Sequence, residues 1–247
     1  MNRQFKNTLR DRLGNYLESK KSATLIEMVL IFGIVLLFIQ VVTPFFQGNQ
    51  MMQQGVVWLA NVIMIALVCF GQWLRRSNFR DLGLVLPIWN WKIYLKIVLW
   101  SFLLFVIALL SFILGSVIMS ILTGTTAQPD VDNYLYLREN PWVFLVSLLG
   151  VYLVSSFGEE LVYRGFLIQR ISWLLEGIKF GKTYSVLISA VIFGLAHYTW
   201  GVTGMVQTGF MGLVLGTFHI RYTNSLIILI LAHVYMDTLL LASIYLG

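Results

Sequence analysis

Charged side chains are scarce in this chain. They make up 11% of its 247 residues, against ~25% in a soluble globular domain. Cysteine is nearly absent: Cys69 stands alone, so no intrachain disulfide can form and the paired-cysteine metal and redox motifs are excluded. Inside an apolar run, such a residue reads as a small buried hydrophobe. Proline occurs four times, at Pro44, Pro87, Pro129 and Pro141, each at or near the border of an apolar run, where helices are punctuated. Short alternating apolar segments are missing as well, which excludes a transmembrane β-barrel. The runs are continuous, and no internal repeat is visible.

What is present is apolar surface. Hydrophobic residues make up 58% of the chain, and the mean hydropathy is +0.81. A chain this apolar has the bilayer as its solvent. Backbone groups in lipid must be paired within the segment, so the spans are helices. The formal net charge of +6 then speaks of topology and anionic headgroups. With no soluble basic domain, nucleic acid is not an expected partner; the lipid bilayer is.

In order, residues 1–22 form a basic tail or interfacial helix with Arg3, Lys6, Arg10, Arg12, Lys20 and Lys21 against Asp11 and Glu18. Leu9, Leu13 and Leu17 recur at helical spacing. The basic stretch and the run after it are too long for a cleavable signal, and no A-x-A-like site follows. This tail is expected in the cytoplasm. Spans are expected over 23–46, 56–74 and 93–122, with Glu27 near enough to the start of the first to reach the interface. Arg75, Arg76 and Arg80 return the chain to the basic side, and Lys92 and Lys96 open the third span. The loop 123–140, with Asp130, Asp132, Arg138 and Glu139, is not basic and is placed outside. Further helices are expected at 141–157, 184–198, 202–220 and 226–246, with a shorter piece at 166–175. The fold class is therefore all-α: a polytopic integral membrane protein with seven to eight transmembrane helices, in one domain over 23–247.

Most charges fall in the tail, in connectors or at span ends. Glu159, Glu160, Arg164 and Asp237 do not, and His197 and His233 also lie within or at the edge of apolar helices. An ionisable group inside a membrane helix costs at least ~2.5–3.5 kcal/mol on insertion scales, so such groups face cavities, pair up or do chemistry. Glu160 and Arg164 are spaced i, i+4 and can pair; His233 and Asp237 share a helix face in the same way. Glu159 lies about 100° around the helix from Glu160, so the two carboxylates are expected to point different ways. Separately these groups read as a structural ion pair, a satisfied core histidine and an orienting hydrogen bond. Together they are the residue types of a water-activating or metal-binding site.

Glu159-Glu160-x-x-x-Arg164, Phe193-x-x-x-His197 and His233-x-x-x-Asp237, in that order, resemble the motifs of the CPBP family. That family comprises CAAX prenyl endopeptidases and bacterial bacteriocin-processing and immunity ("Abi") proteins. The resemblance covers about 141–247, with 23–122 matching only as apolar helices. It implies an intramembrane endopeptidase, glutamate-dependent or metallo-type, with the catalytic site in the C-terminal helices. The last motif position is Asn in the eukaryotic prenyl-protein enzymes and Asp here; both occur in the pattern associated with bacterial members. A bacterial plasma membrane is the expected location. The partner is a membrane-associated peptide or protein substrate, prenylated or leader-bearing.

The implied roles are as follows. Glu159 and His197 activate water, while Glu160 is held by Arg164. His233 and Asp237 stabilise the oxyanion or bind metal, and Asp237 as an acceptor fixes the His233 tautomer. Zn²⁺ is a candidate cofactor, with Glu159, His197, His233 and Asp237 as ligands, although no HExxH is present. Ser155 and Ser156 are read as helix-packing residues and His219 as interfacial. Gly212-x-x-x-Gly216 is read as close helix packing, with homodimerisation the alternative. Two rival functions stand beside proteolysis: a non-enzymatic bacteriocin-immunity or peptide-binding protein, and a proton-coupled transporter. Strict alternation of the spans leaves His197 ~20 Å deeper than Glu159. The site therefore requires a penetrating 166–175 piece, a deeper Glu pair, or a tilted or re-entrant helix. The three residues are expected to converge on one polar cavity open to the cytoplasmic side.

Overall fold

The computed structural model describes residues 8–87, 89–125, 128–222 and 225–247. Arg3, Lys6 and the side chain of Glu139 lie outside the described residues. Among those described, every regular element is helical. Six helices are long and apolar enough to cross a membrane, and a seventh, Gly181–Ala196, is shorter. The protein is an all-α, polytopic integral membrane protein.

Helix α1 (Leu9–Ser19) starts with a reciprocal cap in which Thr8 and Asp11 satisfy each other's backbone N–H. A cap of this kind fixes a helix start by pairing two otherwise orphan donors. Helix α2 (Lys21–Val42) follows after Lys20 and ends in a single 3-10 turn around Pro44. Helix α3 (Gln50–Leu74) packs antiparallel to it. The two are joined by a buried ion pair rather than by an interfacial carboxylate. Arg75 Nη1 and Nη2 reach Glu27 Oε1 and Oε2 at 2.7 and 2.5 Å. Glu27 is thus drawn inward by a partner 48 positions away, which neither helix reveals alone. Gly71 makes the pair possible, because a side chain there would collide with the Glu27 carboxylate.

Helix α4 (Trp91–Thr123) is capped by Asn90 and stopped by Gly124 in the left-handed conformation. It is apolar on all faces, as a lipid-exposed span should be. The connector after it carries a 3-10 segment, Asp132–Glu139. This segment is more than an outer loop. Leu137 is wholly buried in a cluster with Val151, Leu241 and Ile244. Arg138 Nε bonds the Ile244 carbonyl at 2.8 Å.

Helix α5 (Pro141–Leu174) corrects the expectation of a span ending near 157 and a separate piece at 166–175. It is continuous. Its middle is wound with i→i+5 hydrogen bonds over Tyr152–Phe157 and Glu160–Leu167, a winding found mostly at functional sites. Gly158 does not break it; a side chain there would press on Ile65. The charged residues lowered the local hydropathy and imitated a helix end, but they sit near the midpoint of the span. The eighth crossing disappears with that break.

Helix α6 (Gly181–Ala196) and α7 (Gly201–Tyr222) form the most extensive packed pair, and α8 (Leu226–Leu246) completes the bundle. Gly212 and Gly216 admit the close approach. They face Ala190, Phe193, Val186 and Ile168 of the same chain, so this small-residue face is covered internally.

The depth difficulty resolves in α5. Counting back from Leu174 to Glu159 and forward from Gly181 to His197 gives nearly equal runs. Each is about 22–24 Å of helix at ~1.5 Å per residue. The two residues lie level because Glu159 is deeper than hydropathy implied.

Candidate active site

Glu160 and Arg164 are the fully buried floor of the site, at 0% and 1% exposure. Arg164 Nη1 donates to Glu160 Oε1 at 2.9 Å, and the guanidinium lies 4.4 Å from the centre of the Phe193 ring. Carboxylate and aromatic face together replace the water this cation would otherwise need. Phe193 is the hub of the site: Tyr163, His197 and His233 all pack on it with rings 4.8–6.3 Å apart.

His233, from α8, is held at Nδ1 and has two carboxyl groups near Nε2, beyond hydrogen-bond distance. Nδ1 is 2.8 Å from Glu160 Oε1, and Nε2 is 3.9 Å from Glu159 Oε2 and 3.7 Å from Asp237 Oδ1. The adjacent carboxylates of α5 therefore address the two ends of one imidazole, although a regular helix would turn them apart. Glu159 and Glu160 lie where the helix passes between its two i→i+5 segments, and their long side chains reach round to the same ring. The partner that fixes the His233 tautomer is Glu160, not Asp237. A carboxylate accepting at Nδ1 places the proton there. Asp237 is anchored elsewhere, by Ser156 Oγ at 2.7 Å. Ser156 was read as a packing residue; it lies on the inner face of α5 and holds a site carboxylate.

His197 terminates α6. Its Nδ1 is 2.9 Å from the Phe193 carbonyl. A carbonyl only accepts, so Nδ1 carries the proton and Nε2 of the neutral ring presents its lone pair. Trp200 lies edge-on against the other side of the ring, with centroids 5.0 Å apart.

Glu159, His197, His233 and Asp237 all line a single cavity of about 930 Å³. The expectation of a polar cavity is met only at this end. Most of the wall is apolar, from α2, α3 and α6, including Phe32, Met64, Ile188 and Ile192. Three polar atoms beside it have no hydrogen-bond partner among the described residues: Glu159 Oε2, Glu160 Oε2 and Arg164 Nη2. Unpaired buried polar atoms are uncommon, and at an active site they are where a reactant or water engages.

Among the described residues no group of three or more His, Cys, Asp or Glu side chains is disposed to hold a metal ion. Zinc ligands sit ~2.0–2.2 Å from the ion. As they stand, Glu159, His197, His233 and Asp237 are not gathered into such a set.

Four of the six polar residues expected from the sequence line the cavity and Glu160 and Arg164 lie next to them; Ser156, Trp200 and Tyr134 were not expected there. The last comes from the 3-10 segment and lines the cavity beside Trp200. The apolar run Tyr134-Leu135-Tyr136-Leu137 inside a polar connector was the available hint. The model of the family described as type II CAAX prenyl endopeptidase Rce1-like matches residues 141–239. The Rce1-like resemblance is thereby shown. The matched segment holds all seven motif residues and covers less than half of the chain. No curated protein and no solved structure matches the chain. The Rce1-like match suggests CAAX-type intramembrane protease activity. Helices α2 and α3, which build much of the cavity wall, lie outside the matched segment.

Proposed function

We propose that this protein is an intramembrane endopeptidase that hydrolyses a peptide bond with a water activated by Glu159 and His197. The observation that carries the reading is the single cavity shared by Glu159, His197, His233 and Asp237. An apolar-walled cavity with a few convergent polar groups is the usual form of a binding or active site.

The chemistry runs through these side chains. A water placed between Glu159 Oε2 and His197 Nε2 meets two acceptors without protons of their own. Glu159 takes one proton as the water oxygen attacks the scissile carbonyl. It returns that proton to the leaving amine when the tetrahedral intermediate collapses. Glu160 and Arg164 hold His233, and His233 with Asp237 defines the far wall of the reacting centre. Alignment of this kind contributes through positioning as much as through acid–base strength. The substrate is a membrane-associated peptide or protein, prenylated or leader-bearing, whose apolar part the long cavity accommodates. The protein resides in a bacterial plasma membrane with its basic N-terminus in the cytoplasm, since the basic clusters at α1, 75–80 and 179–182 fall at one end of the bundle.

The test compares membrane peptidomes of cells carrying the wild-type protein and Glu159→Gln. Peptides released by the wild type should disappear, with an uncleaved precursor in their place. Identical profiles from equally expressed proteins would overturn the proteolytic reading in favour of a peptide-binding or immunity role.

A further inference from the structure

We propose that Arg170 and Gln72 form a binding site for the phosphate of an anionic phospholipid, at the basic end of the bundle. The site lies outside the cavity and does not depend on the endopeptidase reading.

The need follows from an uncompensated charge. A cation taken out of water beside a membrane span requires a counter-charge or a set of acceptors. The neighbouring cations have one or the other. Arg75 is met by Glu27 and Arg76 by Asp11. Arg10 and Lys21 donate to the carbonyls of Trp73 and Leu174, at the C-terminal ends of α3 and α5, where the helix dipole is negative. Arg170, half-buried near the end of α5, differs from all of them. Its Nη2 donates to the neutral Gln72 Oε1 at 2.8 Å, and its guanidinium carbon lies 5.5 Å from the centre of the Phe166 ring. The carboxylates within its electrostatic reach are Glu27 and Glu18. Glu27 is spent on Arg75, and Glu18 stands on the exposed side of α1. The Arg75 charge is also within reach and offsets what Glu27 offers.

The polar atoms left over at this corner are all donors. Arg170 Nε, Gln72 Nε2 and Arg75 Nε are buried without a hydrogen-bond partner among the described residues. They belong together: Gln72 holds Arg170, and Gln72 and Arg75 share a face of α3 at i, i+3. Gln72 and Arg75 are both more than nine-tenths buried. A water satisfies such donors singly but supplies no charge. A phosphate oxygen supplies both, and a guanidinium is the side chain best shaped to hold it. Arg170 is only half-buried, which leaves an approach from the membrane surface.

The corner lies at headgroup depth. Arg170 stands one turn before the end of α5, Arg75 directly after α3, and Lys21 at the start of α2. Helix α1 lies across it, with Gly14 so close to the Leu74 carbonyl that a side chain there would collide. Leu9, Leu13 and Tyr16 are exposed along α1, and Arg12, Lys20 and Arg76 are exposed around them. An apolar stripe beside basic residues is the form of a helix lying in the membrane interface. The exposed cations draw anionic lipid to this leaflet, and Arg170 is where one headgroup is held.

The experiment uses the full-length protein, purified and stripped of lipid in a neutral detergent. Dioleoyl-phosphatidylglycerol is titrated in, bound lipid is counted by native mass spectrometry, and the unfolding temperature is followed in parallel. Dioleoyl-phosphatidylcholine and inorganic phosphate are the comparison probes. The wild type should retain phosphatidylglycerol in preference to phosphatidylcholine and gain unfolding temperature with it, as a ligand of the native state confers. Arg170→Gln should weaken that lipid about tenfold, the scale of one hydrogen bond to a charged group. Lys179→Gln, an exposed charge at the same end, should leave its affinity within about twofold. Gln72→Glu keeps the test open should Arg170→Gln not fold. It offers Arg170 an internal carboxylate, so the unfolding temperature without lipid should rise and the gain on adding phosphatidylglycerol should shrink. Wild-type affinity in folded Arg170→Gln, or an undiminished gain in Gln72→Glu, overturns the site. Equal retention of phosphatidylcholine overturns the anionic preference. Stabilisation by inorganic phosphate that matches the lipid and is lost in Arg170→Gln overturns the lipid as ligand in favour of a soluble anion.

Discussion

The protein buries two clusters of acid and base, and they are built differently. At the end of α2 and α3, Glu27 and Arg75 form a closed pair in which both carboxylate oxygens are met by both terminal guanidinium nitrogens. Arg75 Nε is left without a hydrogen-bond partner, but neither residue lines the cavity, and neither do their immediate neighbours Gly71 and Gln72. In the middle of α5, Glu160 and Arg164 form a second pair, but Arg164 engages only one oxygen of Glu160 through one nitrogen. Around this pair stand Glu159, Asp237 and two histidines, with carboxyl groups in excess and with unpaired atoms at Glu159, Glu160 and Arg164. A closed pair holds helices together. An open cluster facing a cavity keeps coordination capacity for something else. Burial and residue type are shared, so the distinction lies in which atoms are left over.

The sharpest way to break this comparison is at Glu159. Glu159→Gln should lower turnover by about 10²–10⁴-fold, the usual contribution of a positioned acid–base group, while the protein inserts and unfolds normally. Proteolysis of a purified substrate, paired with a thermal unfolding scan in detergent, separates the two readouts. The reverse pattern is expected at the closed pair. Arg75→Ala leaves Glu27 buried and alone, which should cost about 3–5 kcal/mol of stability and leave turnover per folded molecule near wild type. A large loss of turnover in folded Arg75→Ala would mean that the α2–α3 pair belongs to the site after all.

Much of the open cluster was legible in the sequence, because intramembrane charge is costly and therefore conspicuous. The i, i+4 spacing of Glu160 and Arg164 correctly implied a pair, and the three motifs carried the family resemblance. What escaped detection depends on geometry that periodicity does not encode. The continuity of α5 through Gly158 sets Glu159 level with His197, and the reach of two adjacent carboxylates to one imidazole shows only in three dimensions. The Glu27–Arg75 pair joins residues 48 positions apart, and Tyr134 reaches the cavity from a connector whose composition reads as loop. Ser156 was visible but mute, since a serine in an apolar helix more often packs than binds.

Ser156 allows a smaller test within the open cluster. Removing its hydroxyl with Ser156→Ala frees Asp237 Oδ2 from its 2.7 Å partner. Hydrogen bonds to charged groups are worth about 1.5–3 kcal/mol, so kcat/KM should fall about tenfold as Asp237 loses its anchor. Ser156→Thr, which retains the hydroxyl, should recover most of that loss. An unchanged Ser156→Ala enzyme would place Asp237 outside the reacting centre.

The smallest expected effect is the most discriminating for the comparison itself. Replacing both members of a closed buried pair removes the charges and their desolvation cost together, and such replacements are often neutral or stabilising. The double variant Glu27→Leu with Arg75→Leu should therefore unfold within about 1 kcal/mol of wild type, although Arg75→Ala alone is damaging. Turnover should not change, because neither side chain touches the cavity. The same treatment of the open cluster, Glu160→Leu with Arg164→Leu, cannot be neutral in function, because it removes the Nδ1 partner of His233 along with the pair. Equal outcomes for the two double variants would show that the atoms left over in α5 have no role beyond packing.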